Sequence, residues 1–206
     1  MKKKYIWKTV FGIIGLLSAM LPLKAETAKD AFLSMPESMF LYLNSSNRID
    51  LIDLYDTHLH PVVLNTFGDT VTLKNLTTDY LLLKMKNSSL QLIVLPMKNN
   101  SKLYCVIHTI CGSVCDSYIE FYSASWEQLQ VGLFITPVTR SYFIDENLDN
   151  VTLDVSFMQF IYDPVTLSLQ QFYNISEYMS IKDKQKIQSS VKEKVKMYKW
   201  NGIRFE

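Results

Sequence analysis

The sequence predicts an α+β fold in which N-terminal helices pack on a large antiparallel meander sheet. Helical periodicity is found near the start of the chain and in one late segment, whereas short β-type runs separated by turn signals fill the stretch from Thr70 to Tyr122. Because helices and strands do not alternate, a parallel βαβ sheet is not expected. An arrangement as two sheet subdomains stays open, with the boundary near 125–150.

Three helical stretches are expected before the sheet. The first is Thr27–Leu33, and the second begins at Pro36, whose fixed φ suits the first turn of a helix. The third follows the capping residues that begin at Ser45 and ends at Pro61, which cannot continue a helix.

The sheet is expected to begin as a series of short strands joined by tight turns. These runs are Val71–Leu73, Asp79–Met85, Leu90–Leu95, Leu103–Ile110 and Tyr118–Tyr122.

Later segments add a second hairpin, one helix and a C-terminal hairpin. Val151–Tyr162 and Thr166–Tyr173 form the second hairpin around an Asp-Pro turn, and Ser176–Val191 is expected to be an exposed helix. The C-terminal hairpin is placed at Asn201-Gly202, since Asn-Gly between alternating apolar residues favours a two-residue turn.

Residues 1–25 have the organisation of a cleavable signal peptide. Lysines precede an apolar run from Thr9 to Leu21, and a run of about 13 residues suits a secretory signal but is too short to span a bilayer. Ala25 supplies the small residue before the cut, so the mature chain is expected to begin at Glu26. An uncleaved N-terminal anchor is the alternative.

The mature chain, 26–206, is interpreted as a single α+β domain of unknown function that is exported to the periplasm or the cell surface. No second long apolar run follows the signal, so no transmembrane segment is expected after cleavage. Removing residues 1–25 removes five lysines and no acidic residue, which moves the formal charge from +1 to −4. An acidic chain has no electrostatic reason to bind nucleic acid.

Three cysteines lie close together in the expected sheet. Cys111 and Cys115 flank the turn at Gly112-Ser113, near enough to form a disulfide, and Cys105 has the same strand parity as Cys111. Buried free thiols are the alternative. Zinc is disfavoured because a structural site needs four ligands and only His108 lies nearby.

Scattered blocks along the mature chain resemble a known family. The blocks are Asp30-Ala31-Phe32, Met35-Pro36-Glu37-Ser38, Asn47 to Asp53, Asp79-Tyr80-Leu81, Val106-Ile107-His108-Thr109 and Tyr198 to Gly202. They resemble small exported proteins of anaerobic Gram-negative gut bacteria that are catalogued as a domain of unknown function. Members often carry Asp at the place of Asn201 and Arg at the place of His108. The resemblance implies export and this length, but no activity.

One motif suggests metal chemistry. Asp56-Thr57-His58-Leu59-His60 resembles the first-strand signature of metal-dependent amidohydrolases, and an extended backbone would put His58 and His60 on one face. Those enzymes are barrels of about 250 residues and need further histidines, whereas this chain offers only His108. The sequence therefore assigns no catalytic residue, metal site or cofactor, and Asp56, His58 and His60 remain the weaker candidates.

The leading hypothesis is a non-enzymatic binding or accessory module whose partner is an envelope protein or a glycan. It rests on the signal peptide, the β-rich pattern and the lack of a catalytic constellation. An exposed aromatic patch on the sheet would support it. The alternative is a small cell-envelope hydrolase that uses the His58 and His60 cluster, whose side chains would then have to converge in a pocket.

Overall fold

A computed structural model describes residues 27–145, 157–175 and 179–206. The signal peptide predicted for residues 1–25, its cleavage site at Ala25 and Glu26, and the beginning of the strand predicted from Val151 lie outside the described residues. In the described part of the chain, no helix is both long and apolar enough to cross a membrane.

Two helices precede the sheet. α1, Ala28–Ser34, begins with a capping box in which Thr27 and Asp30 bond each other's backbone N–H groups. α2, Ser45–Asp56, is capped by Asn44, whose side-chain oxygen accepts a hydrogen bond from the Asn47 N–H at 2.9 Å.

The prediction of a helix that begins at Pro36 is wrong in the length of that helix. The segment makes one 3-10 turn, Glu37–Met39, before Phe40 leaves the helical region at φ −145° and ψ 79°. That change of direction puts the Phe40 side chain in the core, where 3 % of it is exposed. The third predicted helix also ends early, because Thr57 caps α2 and His58 takes a left-handed φ of 59°.

Within the described residues, the first sheet has seven antiparallel strands in the order of the chain, which is the predicted meander. The strands are β1 Val62–Leu64, β2 Thr70–Leu76, β3 Tyr80–Lys84, β4 Ser88–Pro96, β5 Lys102–Cys111, β6 Cys115–Ser123 and β7 Gln128–Leu129. The two outermost strands are the shortest, and neither was predicted.

A second antiparallel sheet follows, as the sequence had left open. In the part of the chain described here it has the order β10-β9-β8, from β8 Phe157–Asp163, β9 Ser168–Asn174 and β10 Lys196–Lys199. A short helix, α3 Arg140–Phe143, precedes this sheet, and the late helix is α4 Ile181–Ser189. The C-terminal Asn201-Gly202 turn is closed by a single bridge between Trp200 and Phe205.

The first sheet is buried on both faces. Leu90, Leu92 and Val94 of β4 point to the face covered by α1 and α2, here called the helix-side face. Ile93 and Leu95 point the other way and pack with residues of the second sheet. This three-layer arrangement explains why β4 is a continuous apolar run rather than an alternating one.

Buried Gln91 joins the two sheets. Its Nε2 donates to the Phe160 carbonyl at 3.4 Å, and its Oε1 accepts from the Tyr162 N–H at 3.0 Å and from the Tyr80 hydroxyl at 3.2 Å. β8 is an edge strand of the second sheet, so some of its backbone groups have no strand partner. The Gln91 amide forms hydrogen bonds with two of these groups. These hydrogen bonds position the second sheet against the face of the first sheet that carries Ile93 and Leu95.

Candidate binding surface

The predicted metal candidates stand at the exposed end of α2. His58 and His60 are both exposed, on either side of Leu59, in the segment that leads from the helix to β1. Asp56 is engaged elsewhere, because its Oδ2 lies 2.6 Å from the Lys29 Nζ.

The depression nearest to these candidates does not bring them together. The depression beside α2 is lined by Asp50, Asp53 and neighbouring side chains, but by neither His58 nor His60. Among residues 27–145, 157–175 and 179–206, no three His, Cys, Asp or Glu side chains are placed to share a metal ion.

The cysteines lie in the β5–β6 hairpin. Cys111 and Cys115 are cross-strand partners at its tip, where their Sγ atoms are 2.03 Å apart in a disulfide. Cys105 is buried in the cluster between the two sheets, and burial raises the pKa of its thiol well above the usual range. The tip of this hairpin adjoins the surface described next.

Five aromatic rings form a continuous row across the helix-side end of the first sheet. In order they are Phe67, Tyr42, Phe40, His108 and Tyr118, and we call them the aromatic row. Ring centroids are separated by 5.7 Å, 5.5 Å, 6.4 Å and 4.5 Å along it. The last pair is stacked at an interplanar angle of 11°. Such spacings are those of favourable ring–ring contacts, so each ring helps to position the next.

Turn chemistry positions the first two rings. Phe67 lies in the β1–β2 turn, where the Asn65 side-chain oxygen accepts hydrogen bonds from the N–H groups of Phe67 and Asp69, both at 2.9 Å. Thr66 of the same turn donates its backbone N–H to the Tyr42 carbonyl at 3.2 Å. The turn thereby holds the segment before α2, and Phe67 and Tyr42 meet edge to face.

Strand register positions the other end. His108 of β5 and Tyr118 of β6 are cross-strand partners, which explains their stacking. Both lie on the helix-side face, since His108 has the same parity as Val106 in the helix-side core.

The row is exposed at both ends and buried at its centre. Phe67 is 70 % exposed, Tyr118 50 % and Tyr42 43 %, whereas Phe40 is in the core. Ile110 is exposed beside Tyr118, with a cleft of about 80 Å³ between the row and β4. A group of exposed rings anchored by a buried one is typical of a protein's interaction site.

Charge beside the row comes from Glu120. Its Oε2 lies 3.7 Å from the His108 Nε2. Burial lowers the pKa of the imidazole to about 4, so at neutral pH His108 is uncharged and the contact is not an ion pair. Burial, followed by the charges of Glu120 and Tyr42, also raises the pKa of Tyr118. The row is therefore neutral at neutral pH, with one carboxylate at its edge.

We expect His108 to make folding pH-dependent. The unfolded chain takes up a proton on this residue near pH 6.5, whereas the folded chain does so only near pH 4, so stability is lost as the pH falls through that window. The loss approaches about 3 kcal/mol, less the attraction of Glu120 for the proton. Urea unfolding from pH 7 to pH 4 measures it. His108→Phe keeps a ring and is expected to flatten the dependence, and an equal dependence in both proteins would contradict this origin.

Ser88 also lines the cleft near His108, but the two do not form a nucleophile–base pair. The Ser88 hydroxyl donates to the Met85 Sδ at 3.6 Å. Serine activation requires a hydrogen bond to the base, and the structure records none between Ser88 and His108.

Sequence reasoning did not find the aromatic row. It named an exposed aromatic patch on the sheet only as an observation that would support a binding role. It could not name the members, because the rings come from three separate parts of the chain. One local signal was present: Phe67 stands between Thr66 and Gly68 in a turn, where an aromatic residue has no core to enter.

Comparisons with known proteins place the chain in a family. The family described as "Protein of unknown function (DUF3256)" matches residues 20–205. No curated protein matches the chain significantly. A solved domain of an uncharacterized protein from Porphyromonas gingivalis W83 is similar in structure, with a TM-score of 0.72 and 20 % sequence identity. The match covers 86 % of this chain and 96 % of that domain, and at this identity it shows a shared fold. The chain therefore belongs to the uncharacterised family DUF3256.

Proposed function

We propose that this protein is an exported, non-enzymatic binding module of the cell envelope that docks a partner on the aromatic row. The observation that carries the proposal is the exposure of Phe67, Tyr42 and Tyr118 as one connected set of rings. Exposed aromatic side chains next to each other lose favourable burial unless a partner covers them.

The rings are suited to binding for two reasons. They are held in place before a partner arrives, because hydrogen bonds at Asn65 and Thr66 fix the turn and cross-strand pairing fixes Tyr118. Little conformational entropy is then lost on association. Tyrosine also combines a large apolar surface with a hydroxyl, and it is enriched at interface positions that contribute most of the binding energy.

Export is proposed from the sequence of residues 1–25, with their lysines, short apolar run and small residue at Ala25. A disulfide between Cys111 and Cys115 fits an oxidising compartment, where such bonds persist. The envelope is therefore the place in which to look for a partner.

Site-specific photo-crosslinking in the producing cells tests the proposal. A photoreactive phenylalanine analogue replaces Phe67 in one version of the full-length chain and Val165 in the other. Val165 is 88 % exposed and lies outside the row, which makes it a matched control. We expect a discrete adduct from position 67 alone.

The same adduct from both positions, or none from position 67, would contradict docking on the row. The mass of the recovered chain tests export in the same experiment. We expect it to begin at Glu26, and a chain that retains residues 1–25 would count against cleavage.

A further inference from the structure

The Glu120 carboxylate is half-enclosed beside the aromatic row and has only neutral partners. Its side chain is 24 % exposed, and its Oε1 accepts a hydrogen bond from the Gln128 Nε2 at 3.0 Å. Burial, the charge of Glu120 and a hydrogen bond between the two side chains raise the pKa of Tyr122. His108, the third neighbour, lies 3.7 Å away.

In the described part of the chain, no lysine or arginine compensates this charge. Within the described residues, neither a lysine nor an arginine forms an ion pair with Glu120. A carboxylate withdrawn from water without a cationic partner loses hydration that neutral donors only partly replace. A positively charged group arriving from outside would recover that loss.

The surroundings favour one kind of cation. Tyr118 presents an exposed ring next to Glu120 on the same strand face, two residues away. Its other face is already covered by His108, stacked at 4.5 Å. A flat cation can therefore extend this stack on the open side while it reaches the carboxylate.

We infer that the aromatic row and Glu120 together bind an arginine side chain of a partner polypeptide, with the guanidinium stacked on Tyr118 and donating hydrogen bonds to the Glu120 carboxylate. This inference rests on the proposed function and names the chemistry of its partner. Arginine fits better than lysine, because its planar guanidinium stacks on aromatic faces and matches a carboxylate with two parallel donors.

Two immobilised pools of hexapeptides test the inference. The pools share the same randomised flanks and differ only at a central position, which is arginine in one and citrulline, its uncharged near-isostere, in the other. The protein recovered from the producing cells is expected to bind the arginine pool at least about tenfold more tightly, as one desolvated charge contact would give.

Glu120→Gln is expected to abolish this preference. It removes the charge but keeps an oxygen for Gln128 and Tyr122, so its melting temperature should stay close to that of the unchanged protein. Glu127→Gln is the matched control, since Glu127 is exposed and lies in the neighbouring β6–β7 turn. We expect it to keep the full preference.

Equal affinity for the two pools, no binding to either pool, or an undiminished preference in Glu120→Gln would each overturn the inference. The comparison between the two peptide pools uses the unchanged protein, so it tests the inference even if Glu120→Gln fails to fold. An adduct at position 67 without an arginine preference would overturn this inference alone. If neither the adduct at position 67 nor the arginine preference is observed, the proposed function is overturned as well. Capture of a neutral oligosaccharide that Glu120→Gln does not weaken would identify the row as a glycan-binding surface instead.

Discussion

Phe121→Ala is expected to lower the free energy of unfolding by about 3–5 kcal/mol, as for other fully buried phenylalanines. The Phe121 side chain lies between the two sheets with 0 % of its surface exposed. Its ring centroid is 5.0 Å from that of Phe134 and 6.4 Å from that of Phe205. Alanine would leave a cavity at the contact that joins the first sheet to the C-terminal part of the chain.

Urea or thermal unfolding measures the effect, and Phe67→Ala is the control. Both changes remove the same ring, but Phe67 is 70 % exposed and belongs to the aromatic row. We expect Phe67→Ala to cost less than about 1 kcal/mol, as surface substitutions usually do. Comparable losses in the two variants would show that Phe67 is a structural residue and would remove a main support of the proposed function.

Arg48→Ala is expected to cost about 3 kcal/mol, from a cavity and from carbonyl groups left without a donor. Arg48 of α2 is 1 % exposed, and its Nη1 donates to the carbonyls of Phe32 and Met35 near the end of α1. The guanidinium also lies 5.7 Å from the Phe32 ring centroid. A cation suits this place because the C-terminal end of a helix carries partial negative charge.

The comparison for this residue is Arg204→Ala, measured in the same unfolding assay. Arg204 is partly exposed and donates to the Thr136 hydroxyl at 2.8 Å, so its removal is expected to cost less than about 1 kcal/mol. Burial lowers the pKa of Arg48, so the protein also bears a cost for keeping it charged. An Arg48→Ala variant as stable as the unchanged protein would show that this cost offsets the contacts.

The arrangement of the first sheet was predictable because its information is local. The turn between Cys111 and Cys115 and the β-type runs on either side of it identify β5 and β6 without any knowledge of the rest of the fold. Strands joined by short turns pair with their neighbours, so the meander order follows from the sequence alone.

The errors lie where packing overrides local preference. Pro36 is suited to start a helix, but the segment makes a single 3-10 turn, and Phe40 then leaves the helical region and packs in the core. The strand Val62–Leu64 was not predicted, because the helical periodicity of the preceding segment continues up to Pro61. This segment is a strand because it pairs with β2. A sequence of three residues does not reveal such a pairing.

The candidate surface required tertiary information. Tyr42 and Tyr118 are far apart in the sequence, and nothing in their local patterns separates an exposed ring from a core ring. Only the turn at Asn65 and the pairing of His108 with Tyr118 bring them into one row. That no described lysine or arginine pairs with Glu120 is likewise visible only in the folded structure.

The most direct test of the aromatic row is the affinity of the protein for the partner identified by crosslinking, measured for the variant that combines Tyr42→Ser and Phe67→Ser. Val165→Ser with Ile181→Ser is the control, because it removes two apolar side chains that lie outside the row and are more exposed than Tyr42 and Phe67. We predict that the row variant binds at least about a hundredfold more weakly, as the loss of two interface aromatic residues would give. We expect the control to bind as the unchanged protein does. Equal affinity in the row variant and the control would contradict docking on the aromatic row.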